Sequence, residues 1–426
     1  MNDKINYDLF FNFFKYNKYN MEEVDSIYDK IKLFDLIMNG THEQIRMNLL
    51  NELSNISKYC TKLIGTGFFG DVFSYAVGKS VKIKINNAIH EIPVVVKYTK
   101  FPGKFNMISY EDHLIISSQD GFICEAIVLF ILSKLWYKSL NLHVPFLIGI
   151  CMDQNNLTVK MLVLEKCGLD KPIKLKTNFF TRDLLNLGME NKNVLSIVET
   201  VKKLLEYIEI YVDLDMKCVL PNNKTVYVPS IIDEICIFFI HTFSYLYDKF
   251  NLLLGDQHVA NVFIHWINDK SICGTKKLNK LKYINYNIGN NKYITIKTNG
   301  MIYKIGDIGV SMINVQKDVV IVTYLSNNNQ QAYDEILKYN KNNHHYWIFI
   351  FDLLYHTPLE IIEKTIIYKI IKKYNISLKY ANLLGIKSED FIDDFPLEFD
   401  ILNDELYSDM ITTNVKDDEY NFTIMD

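Results

Sequence analysis

The chain lacks the features that a zinc-binding, secreted or membrane-spanning protein would show. Its seven cysteines form no CxxC pair and no cluster with histidine at zinc-ligand spacing, so we expect no zinc site and reduced thiols. The first residues are polar, and no apolar core of a signal peptide follows them. The most apolar windows, 235–243 and 347–354, are too short to span a bilayer. These absences predict a soluble, intracellular protein.

Arginine is scarce, and positive charge does not dominate. Of the 46 Lys and Arg residues, only Arg46 and Arg182 are arginines, and the formal net charge is −4, which argues against a general nucleic-acid coat. The excess of Lys, Asn, Ile and Tyr is typical of AT-rich coding.

What the chain does have is apolar and aromatic side chains, at 49% and 13% of residues, so a disordered protein is excluded. A length of 426 residues can hold one two-lobed body with extensions or two ordinary domains.

A glycine-rich segment lies between two β-type runs. Gly65, Gly67 and Gly70 follow Leu63-Ile64 and precede a run that begins at Val72. A dinucleotide-binding or Walker loop would be followed by a helix whose N-terminus meets the phosphate, whereas a strand is expected here. Glycines in such a hairpin let the backbone approach a phosphate closely.

A lysine and two candidate glutamates follow this segment. Lys97 ends the apolar strand Val94-Val95-Val96, so its ammonium requires a counter-charge in a partly buried site. Glu111 is nearer in sequence, but Glu125 lies in a segment with clear helical spacing. We expect Glu125 to be the partner, with Glu111 as the alternative.

Two later loops carry oxygen ligands. Gly255-Asp256-Gln257-His258-Val259-Ala260-Asn261 follows a strongly apolar helical segment and precedes the β-type run Val262-Phe263-Ile264. The second loop is Gly306-Asp307-Ile308-Gly309, in which we expect the apolar Ile308 to pack inward. Carboxylate and amide oxygens are suitable ligands for Mg²⁺.

Taken in this order, the five fragments resemble the protein kinase superfamily across roughly residues 60–370. The loop at Asp256, the long insertion before Asp307 and the absence of an Ala-Pro-Glu segment look like haspin and the divergent kinases of large cytoplasmic DNA viruses, including poxvirus-type virion kinases. The resemblance implies an α+β, two-lobed fold, with a small β-rich N-lobe and a larger helical C-lobe. It also implies Ser/Thr protein phosphorylation with ATP and Mg²⁺ and a protein substrate, with no nucleic-acid partner.

The resemblance also implies a role for each candidate residue. Asp256 would be the catalytic base, with Lys97 and Glu125 as the other catalytic residues. Asn261 and Asp307 would hold the metal. The nucleotide would be bound by the residues of the glycine-rich hairpin and of the hinge: Gly65, Gly67, Gly70, Val72, Lys97, Glu165 and Cys167.

The same resemblance divides the chain. We expect a helical extension over 1–58, an N-lobe over 59–168, a C-lobe over 169–390 and a loosely packed acidic tail over 391–426. Insertions are expected at 169–229, with extra helices, and at 268–304. In the second insertion the alternating runs 293–297 and 301–304 flank Asn299-Gly300, which predicts a hairpin.

Several departures from the kinase pattern leave alternatives open. Leu254-Gly255 replaces the usual His-Arg before the catalytic aspartate, so no arginine is available there to bind a phosphorylated activation loop. Asp352 is a candidate for the aspartate that braces the catalytic loop. The Gly-Asp-x-His-x-x-Asn loop is also close to that of aminoglycoside and choline phosphotransferases. A small-molecule phosphotransferase and an inactive kinase scaffold therefore remain alternatives.

Overall fold

The computed structural model describes most of the chain between Cys60 and Ile424. The described residues are 60–66, 70–75, 81–85, 88–100, 105–110, 113–118, 122–152, 159–167, 174–177, 209–220, 222–250, 252–254, 258–309, 311–316, 319–322, 345–355, 357–376 and 398–424. The expected N-terminal extension, Gly67, Glu111 and Asp256 lie outside these residues.

The N-terminal described elements are nine strands and one helix. They are β1 (Cys60–Thr66), β2 (Gly70–Tyr75), β3 (Val81–Ile85), β4 (Ala88–Ile92), β5 (Val94–Thr99), β6 (Phe105–Tyr110), β7 (His113–Ser118), α1 (Phe122–Tyr137), β8 (Leu147–Met152) and β9 (Val159–Glu165).

The later elements alternate between strands and helices. They are β10 (Lys174–Thr177), β11 (Glu209–Val212), β12 (Lys217–Val219), β13 (Thr225–Tyr227), α2 (Val228–Phe250), β14 (Leu252–Leu254), a 3₁₀ turn (Val259–Asn261), β15 (Val262–Trp266), β16 (Ile272–Cys273), β17 (Lys276–Lys277), β18 (Tyr283–Asn287), β19 (Tyr293–Lys297), β20 (Met301–Ile305), β21 (Ser311–Gln316), β22 (Val319–Val322), α3 (His345–Tyr355), α4 (Leu359–Ile362), α5 (Ile366–Lys373), α6 (Glu398–Leu402), a second 3₁₀ turn (Glu405–Met410), β23 (Ile411–Thr412) and β24 (Asn421–Ile424).

The fold is mixed α/β, with several sheets and few helices among the described residues. One antiparallel sheet has the order β1-β2-β5-β9-β8, and helix α1 packs on β8 and β9. A second five-stranded sheet has the order β14-β21-β22-β7-β6. The strands expected around the glycines, at Val94–Val96 and before Cys167 are present, as are the helices that contain Glu125 and residues 231–250.

Helix α2 lies at the centre of the core. It is enclosed on all sides at its centre, where five consecutive residues are fully buried: Cys236, Ile237, Phe238, Phe239 and Ile240. It contacts α3, α5, α6 and β14. Among the described residues one helix, Val228–Asp248, is long and apolar enough to cross a membrane, but 83% of its most apolar window is buried inside the protein. That burial is typical of a core helix and is compatible with a soluble protein.

The segment expected to hold extra helices is built differently where it is described. Strands β10, β11, β12 and β13 form a four-stranded sheet in this order, and residues 178–208 lie outside the described part of the chain. In β12 and β13 the central residues Cys218 and Val226 are buried while their neighbours are exposed. This period of two is the signature of a half-buried strand, but strands of three residues are too short to show it clearly in the sequence.

The hairpin predicted around Asn299-Gly300 is wrong in its pairing, although both strands exist. Strand β20 pairs with β15, and β19 pairs with β18 and β23. Gly300 has a φ of +84°, and its carbonyl accepts a hydrogen bond from Ile267 N, which extends the β15–β20 pair by one hydrogen bond. The true hairpin is β18–β19, whose turn contains Gly289, Asn290 and Asn291, all at positive φ.

The acidic segment at the C-terminus is folded between Glu398 and Ile424, contrary to the expectation of a loosely packed tail. Strand β24 pairs in parallel with β18, and Phe422 and Ile424 are buried. Lys276 contacts Asp417, and Lys280 contacts Glu419 at 2.6 Å. The acidic residues therefore lie beside the lysines of the 268–304 insertion, and the apolar residues between them enter the core.

Candidate active site

Three of the predicted site residues lie on one row across the first sheet. The register of β1, β2, β5 and β9 pairs Gly65 with Val72, Val72 with Lys97, and Lys97 with Leu162. Side chains of directly paired residues project from the same face of a sheet. Gly65, Val72 and Lys97 therefore face the same side. Gly70 begins β2 and pairs with Thr99.

Lys97 is the centre of a buried ionic cluster. Its Nζ lies 2.8 and 2.9 Å from the two carboxylate oxygens of Glu125 and 3.0 Å from Oδ1 of Asp307. Lys97 and Glu125 are 7% and 2% exposed, whereas the Asp307 side chain is half exposed. Burial would lower the pKa of Lys97, but the carboxylates of Glu125 and Asp307 outweigh it and hold this pKa above its usual value. The lysine is therefore a cation at neutral pH.

Helix α1 brings Glu125 to this position because its far end is fixed at several points. The Ser133 hydroxyl donates to Leu129 O and accepts from Leu147 N, at 2.7 Å each, which ties the helix to β8. Trp136 stacks on Phe146 with ring centroids 4.1 Å apart. Past the helix end, the Ser139 hydroxyl donates to Cys273 O at 2.7 Å.

Asn261 and Asp307 are brought together by the β15–β20 pair. Val262 pairs with Ile305, so Asn261 and Gly306 follow directly beyond the last rung, and Gly306 N donates to Asn261 O. Asn261 is 7% exposed. Asp307 has a φ of +33°, a strained conformation for a residue with a side chain, and such strain concentrates at functional sites.

Gly306 is required by its surroundings. A Cβ atom there would lie 1.8 Å from Cε2 of Phe263, which no side chain can accept without displacement of the ring. Among the described residues, a Cβ added at Gly65 would meet only Val72 Cβ, at 3.9 Å. The described residues therefore leave space beside Gly65. Ile308 is 1% exposed, so its expected inward packing is confirmed.

The loop that contains Asp256 is described on both sides but not at its centre. Strand β14 ends at Leu254, and the described chain resumes at His258. The Asp352 carboxylate on α3 accepts a hydrogen bond from Val259 N at 2.8 Å. The expected brace between this aspartate and the loop is therefore present. The expected contact between Lys97 and Glu125 is observed. The alternative partner, Glu111, lies outside the described residues.

Glu165 and Cys167 lie at the end of β9, but the Glu165 carboxylate has another partner. Lys304 Nζ lies 2.6 Å from Glu165 Oε1, and the two residues are 1% and 7% exposed. Burial would lower the pKa of Lys304, but the Glu165 carboxylate raises it above its usual value. Burial and Glu165 raise the pKa of the Cys167 thiol to about 12, so it stays protonated. The Glu165 carboxylate is therefore paired with Lys304 through Oε1, and the main-chain N–H of Glu165 donates to Phe146 O.

The sequence reading missed Lys304 and a histidine network behind the site. Tyr303 O accepts a hydrogen bond from His143 Nδ1 at 2.6 Å, so Nδ1 carries the proton and Nε2 accepts from the Tyr286 hydroxyl at 2.8 Å. Burial lowers the pKa of His143 to about 3, which keeps the ring neutral. A lysine inside the apolar run Met301–Ile305 was a usable signal for a buried charge pair, whereas nothing in the sequence joins His143 to Tyr286.

Comparison with known proteins adds no name to this site. No protein-family model matches the chain, and no curated protein matches it significantly. Among the described residues there is no group of three or more His, Cys, Asp and Glu side chains that could hold a metal. A site with one amide ligand, one carboxylate ligand and phosphate oxygens would not form such a group, and the Asn261 amide and the Asp307 carboxylate are oxygen donors of the kind that Mg²⁺ prefers.

Proposed function

We propose that this chain is a Mg²⁺-dependent protein kinase that transfers the γ-phosphoryl group of ATP to serine or threonine of a protein substrate. The observation that carries the proposal is the bonding of one buried lysine to both Glu125 and Asp307. These carboxylates lie 28 and 210 residues away along the chain. A buried charge cluster assembled from such distant segments costs desolvation energy, which a binding site for a charged ligand explains.

The proposed architecture has two lobes. The sheet β1-β2-β5-β9-β8 with α1 would be the small lobe, over 59–168, and the elements around α2 would belong to the large lobe, over 169–390. The described part of the large lobe contains more strands than the resemblance implied. The AT-rich composition and the form of the Asp256 loop support a viral origin, with the host cytoplasm or the virion as the location.

Each residue has a defined task in this proposal. Lys97 neutralises the α- and β-phosphates, and Glu125 holds its ammonium in place. Asn261 and Asp307 supply the amide and carboxylate oxygens for Mg²⁺. Bound Mg²⁺ supplies charge neutralisation for the β- and γ-phosphates. Gly65 leaves room for the nucleotide beside Val72.

The transfer step balances without any further reactant. The acceptor hydroxyl oxygen forms a bond to the γ-phosphorus while the bond between that phosphorus and the β,γ-bridging oxygen breaks, which releases ADP. The hydroxyl proton passes to the Asp256 carboxylate. Most of the acceleration comes from positioning and from electrostatic stabilisation by Lys97 and the two metal-binding residues.

A transfer assay tests the proposal against both alternatives. The purified chain is incubated with γ-labelled ATP and Mg²⁺, alone, with generic protein acceptors, and with a panel of aminoglycosides and amino-alcohols. Asp256→Asn and Asp307→Asn variants accompany it. Label on protein serine or threonine that disappears in both variants supports the proposal. Label on a small molecule alone moves the chain to the small-molecule phosphotransferases, and no transfer with no Mg-ATP binding identifies an inactive scaffold.

A further inference from the structure

The hairpin of β12 and β13 (217–227), directly before helix α2, has one covered face and one exposed face. Cys218 of β12 and Val226 of β13 point inward and are buried. On the opposite face the flanking residues are exposed, among them Val219 at 57% and Tyr227 at 40%. Leu214, in the turn that leads into β12, is 83% exposed. Three large apolar side chains are therefore in contact with water within one hairpin and its entering turn.

These side chains form a group on a surface that no described strand covers. Lys217 pairs with Tyr227, and Val219 pairs with Thr225, in antiparallel register. Because paired side chains project from the same face, Val219 and Tyr227 lie diagonally across it. Strand β13 is the last strand in the order β10-β11-β12-β13, so no described strand pairs with its outer edge. Single exposed apolar residues are ordinary, whereas a group of them marks an interaction surface.

Hydrogen bonds hold the hairpin at both ends. At the end near β11, the Asp213 carboxylate accepts a hydrogen bond from Lys217 N at 2.7 Å. At the other end, the Asn222 side-chain amide donates to Asn299 O at 2.7 Å. The hairpin is therefore tied to the neighbouring turn before β20. A surface that is held in this way loses little conformational freedom when a partner covers it.

The two ends of the hairpin carry charges of opposite sign. Asp213, Asp215 and Lys217 lie at one end and contribute two carboxylates against one ammonium, with Asp215 Oδ2 at 3.9 Å from Lys217 Nζ. Lys224 lies at the other end. A partner with one sign of charge would match one end and be repelled by the other. A second copy of this chain, turned end for end, matches both ends.

We infer that two copies of this chain associate through the exposed face of the β12–β13 hairpin, related by a two-fold axis that crosses the strands. The axis places the acidic end of each copy over Lys224 of the other copy, and the apolar side chains between the ends are removed from water. The contact is smaller than the roughly 800 Å² per partner of a stable interface, so the dimer should be weak. Neither a nucleotide nor a substrate takes part, so the inference goes beyond the proposed function and does not depend on it.

Sedimentation equilibrium of the full-length protein, from about 1 to about 200 µM, measures the association. We expect a reversible equilibrium between monomer and dimer. Leu214→Asp and Val219→Asp each place a charge in the apolar contact, and each should raise the dissociation constant at least about tenfold. Ile89→Asp is the matched control, because Ile89 is 71% exposed on β4, outside the hairpin, and it should change that constant by less than about twofold. All three positions are exposed, so the substitutions do not disturb the core.

Two charge-reversed variants test the two-fold arrangement. Lys224→Glu makes both ends of the hairpin acidic, and Asp215→Lys makes both ends basic, so each variant alone should dimerise at least about tenfold more weakly than the wild type. Their equimolar mixture restores opposite charges at both contacts. We expect the mixture to form a heterodimer with a dissociation constant within about threefold of the wild-type value. A fluorophore on one variant lets sedimentation distinguish the heterodimer.

Each outcome supports or overturns the inference. A wild-type chain that stays monomeric up to about 200 µM overturns it. A dimer that Leu214→Asp and Val219→Asp leave unchanged also overturns it, because the apolar face then lies outside the contact. Charge-reversed variants that dimerise like the wild type, or that fail to associate when mixed, exclude the end-for-end arrangement. The transfer assay with labelled ATP tests the proposed function separately, and its result does not alter these outcomes.

Discussion

At the scale of single residues, the site depends on where a side chain is missing as much as on where one is present. Lys97, Glu125 and Asp307 provide the charges, and Gly65 provides the space beside them. Gly306 is different because the Phe263 ring occupies the position that a Cβ atom would take. The two glycines can therefore be separated by one substitution each.

Gly65→Ala should weaken nucleotide use without loss of stability. Of the residues that the structure describes, the new Cβ meets only Val72, at 3.9 Å from its Cβ, but it would occupy the space proposed for the nucleotide. We expect KM for Mg-ATP to rise about tenfold, equivalent to about 1.4 kcal/mol, and the melting temperature to stay unchanged. Steady-state kinetics and thermal melting check both. An unchanged KM would contradict a nucleotide beside Gly65.

Gly306→Ala is the contrasting variant, with an expected loss of about 1–3 kcal/mol of stability through overpacking.

Lys304→Met should be strongly destabilising, and the loss should be recovered by a second substitution. The single change leaves the Glu165 carboxylate buried without its cation, which costs about 3–5 kcal/mol. In the double variant Lys304→Met/Glu165→Leu no charge remains buried, so we expect more than half of the loss to return. Urea unfolding of the single and double variants measures this. A double variant as unstable as the single one would show that the pair is not the cause.

These residues differ in how far the sequence specifies them. The Lys97–Glu125 pair could be predicted because a lysine at the end of an apolar strand needs a carboxylate and a helix with a glutamate follows it. The use of the Glu165 carboxylate by Lys304 was missed, since the sequence reading assigned Glu165 to the nucleotide. Pairing between two distant charged residues depends on tertiary packing, which no local pattern contains.

At the scale of elements, the insertion 268–304 supports the helix that carries Glu125. Strands β16 and β18 contact the loop after α1 through Cys273 and Tyr286. Strand β24 covers the outer edge of β18. The insertion and the C-terminal segment are therefore part of the same support.

Tyr286→Phe should loosen this support by a measurable amount. The substitution removes the hydroxyl that donates to His143 Nε2 at 2.8 Å, and it leaves that buried nitrogen without a donor. We expect a loss of about 1–2 kcal/mol in the free energy of unfolding. Tyr283→Phe on the same strand is the matched control, because Tyr283 is 36% exposed, and it should change stability by less than about 0.5 kcal/mol. Equal effects of the two substitutions would contradict the role of this hydrogen bond.

The elements themselves were easier to predict than their partners. Alternation identified β19 and β20, and Asn299-Gly300 identified a turn, yet the two strands enter different sheets. A strand exposes hydrogen-bonding groups on both edges, so the pattern of one strand does not specify its neighbour. The pairing of β22 with β7 could not be predicted for the same reason.

At the scale of the whole molecule, buried titratable groups make stability depend on pH in two directions. Burial lowers the pKa of His143 and His265 to about 3 and of His241 to about 4, from 6.5. The unfolded chain therefore binds more protons below pH 6.5, and stability falls as the pH decreases. Burial raises the pKa of Glu234 from 4.5 to about 8. The folded chain binds this extra proton between those values, so stability falls as the pH rises toward 8.

The expected result is a maximum of stability near pH 6.5. Above it the loss should be at most about 1.4 kcal/mol per pH unit, the value for one proton, reduced by the partial exposure of Glu234. Glu234→Gln should remove this decline, because the amide carries no charge to bury. Exposed Glu363→Gln is the control and should keep it. Urea unfolding between pH 5 and pH 8 measures both, and the same decline in Glu234→Gln would contradict the assignment.

The most direct test of the candidate site is calorimetric binding of ATP with and without Mg²⁺, since it requires no knowledge of the acceptor. The wild-type chain is compared with Lys97→Met and with Lys100→Met, whose lysine forms a partly exposed ion pair with Asp71 at 3.1 Å. We expect Mg²⁺-dependent binding that Lys97→Met weakens at least about tenfold and Lys100→Met leaves within about twofold. Absence of binding to the folded wild-type chain, or equal effects of the two substitutions, would contradict a nucleotide site at Lys97.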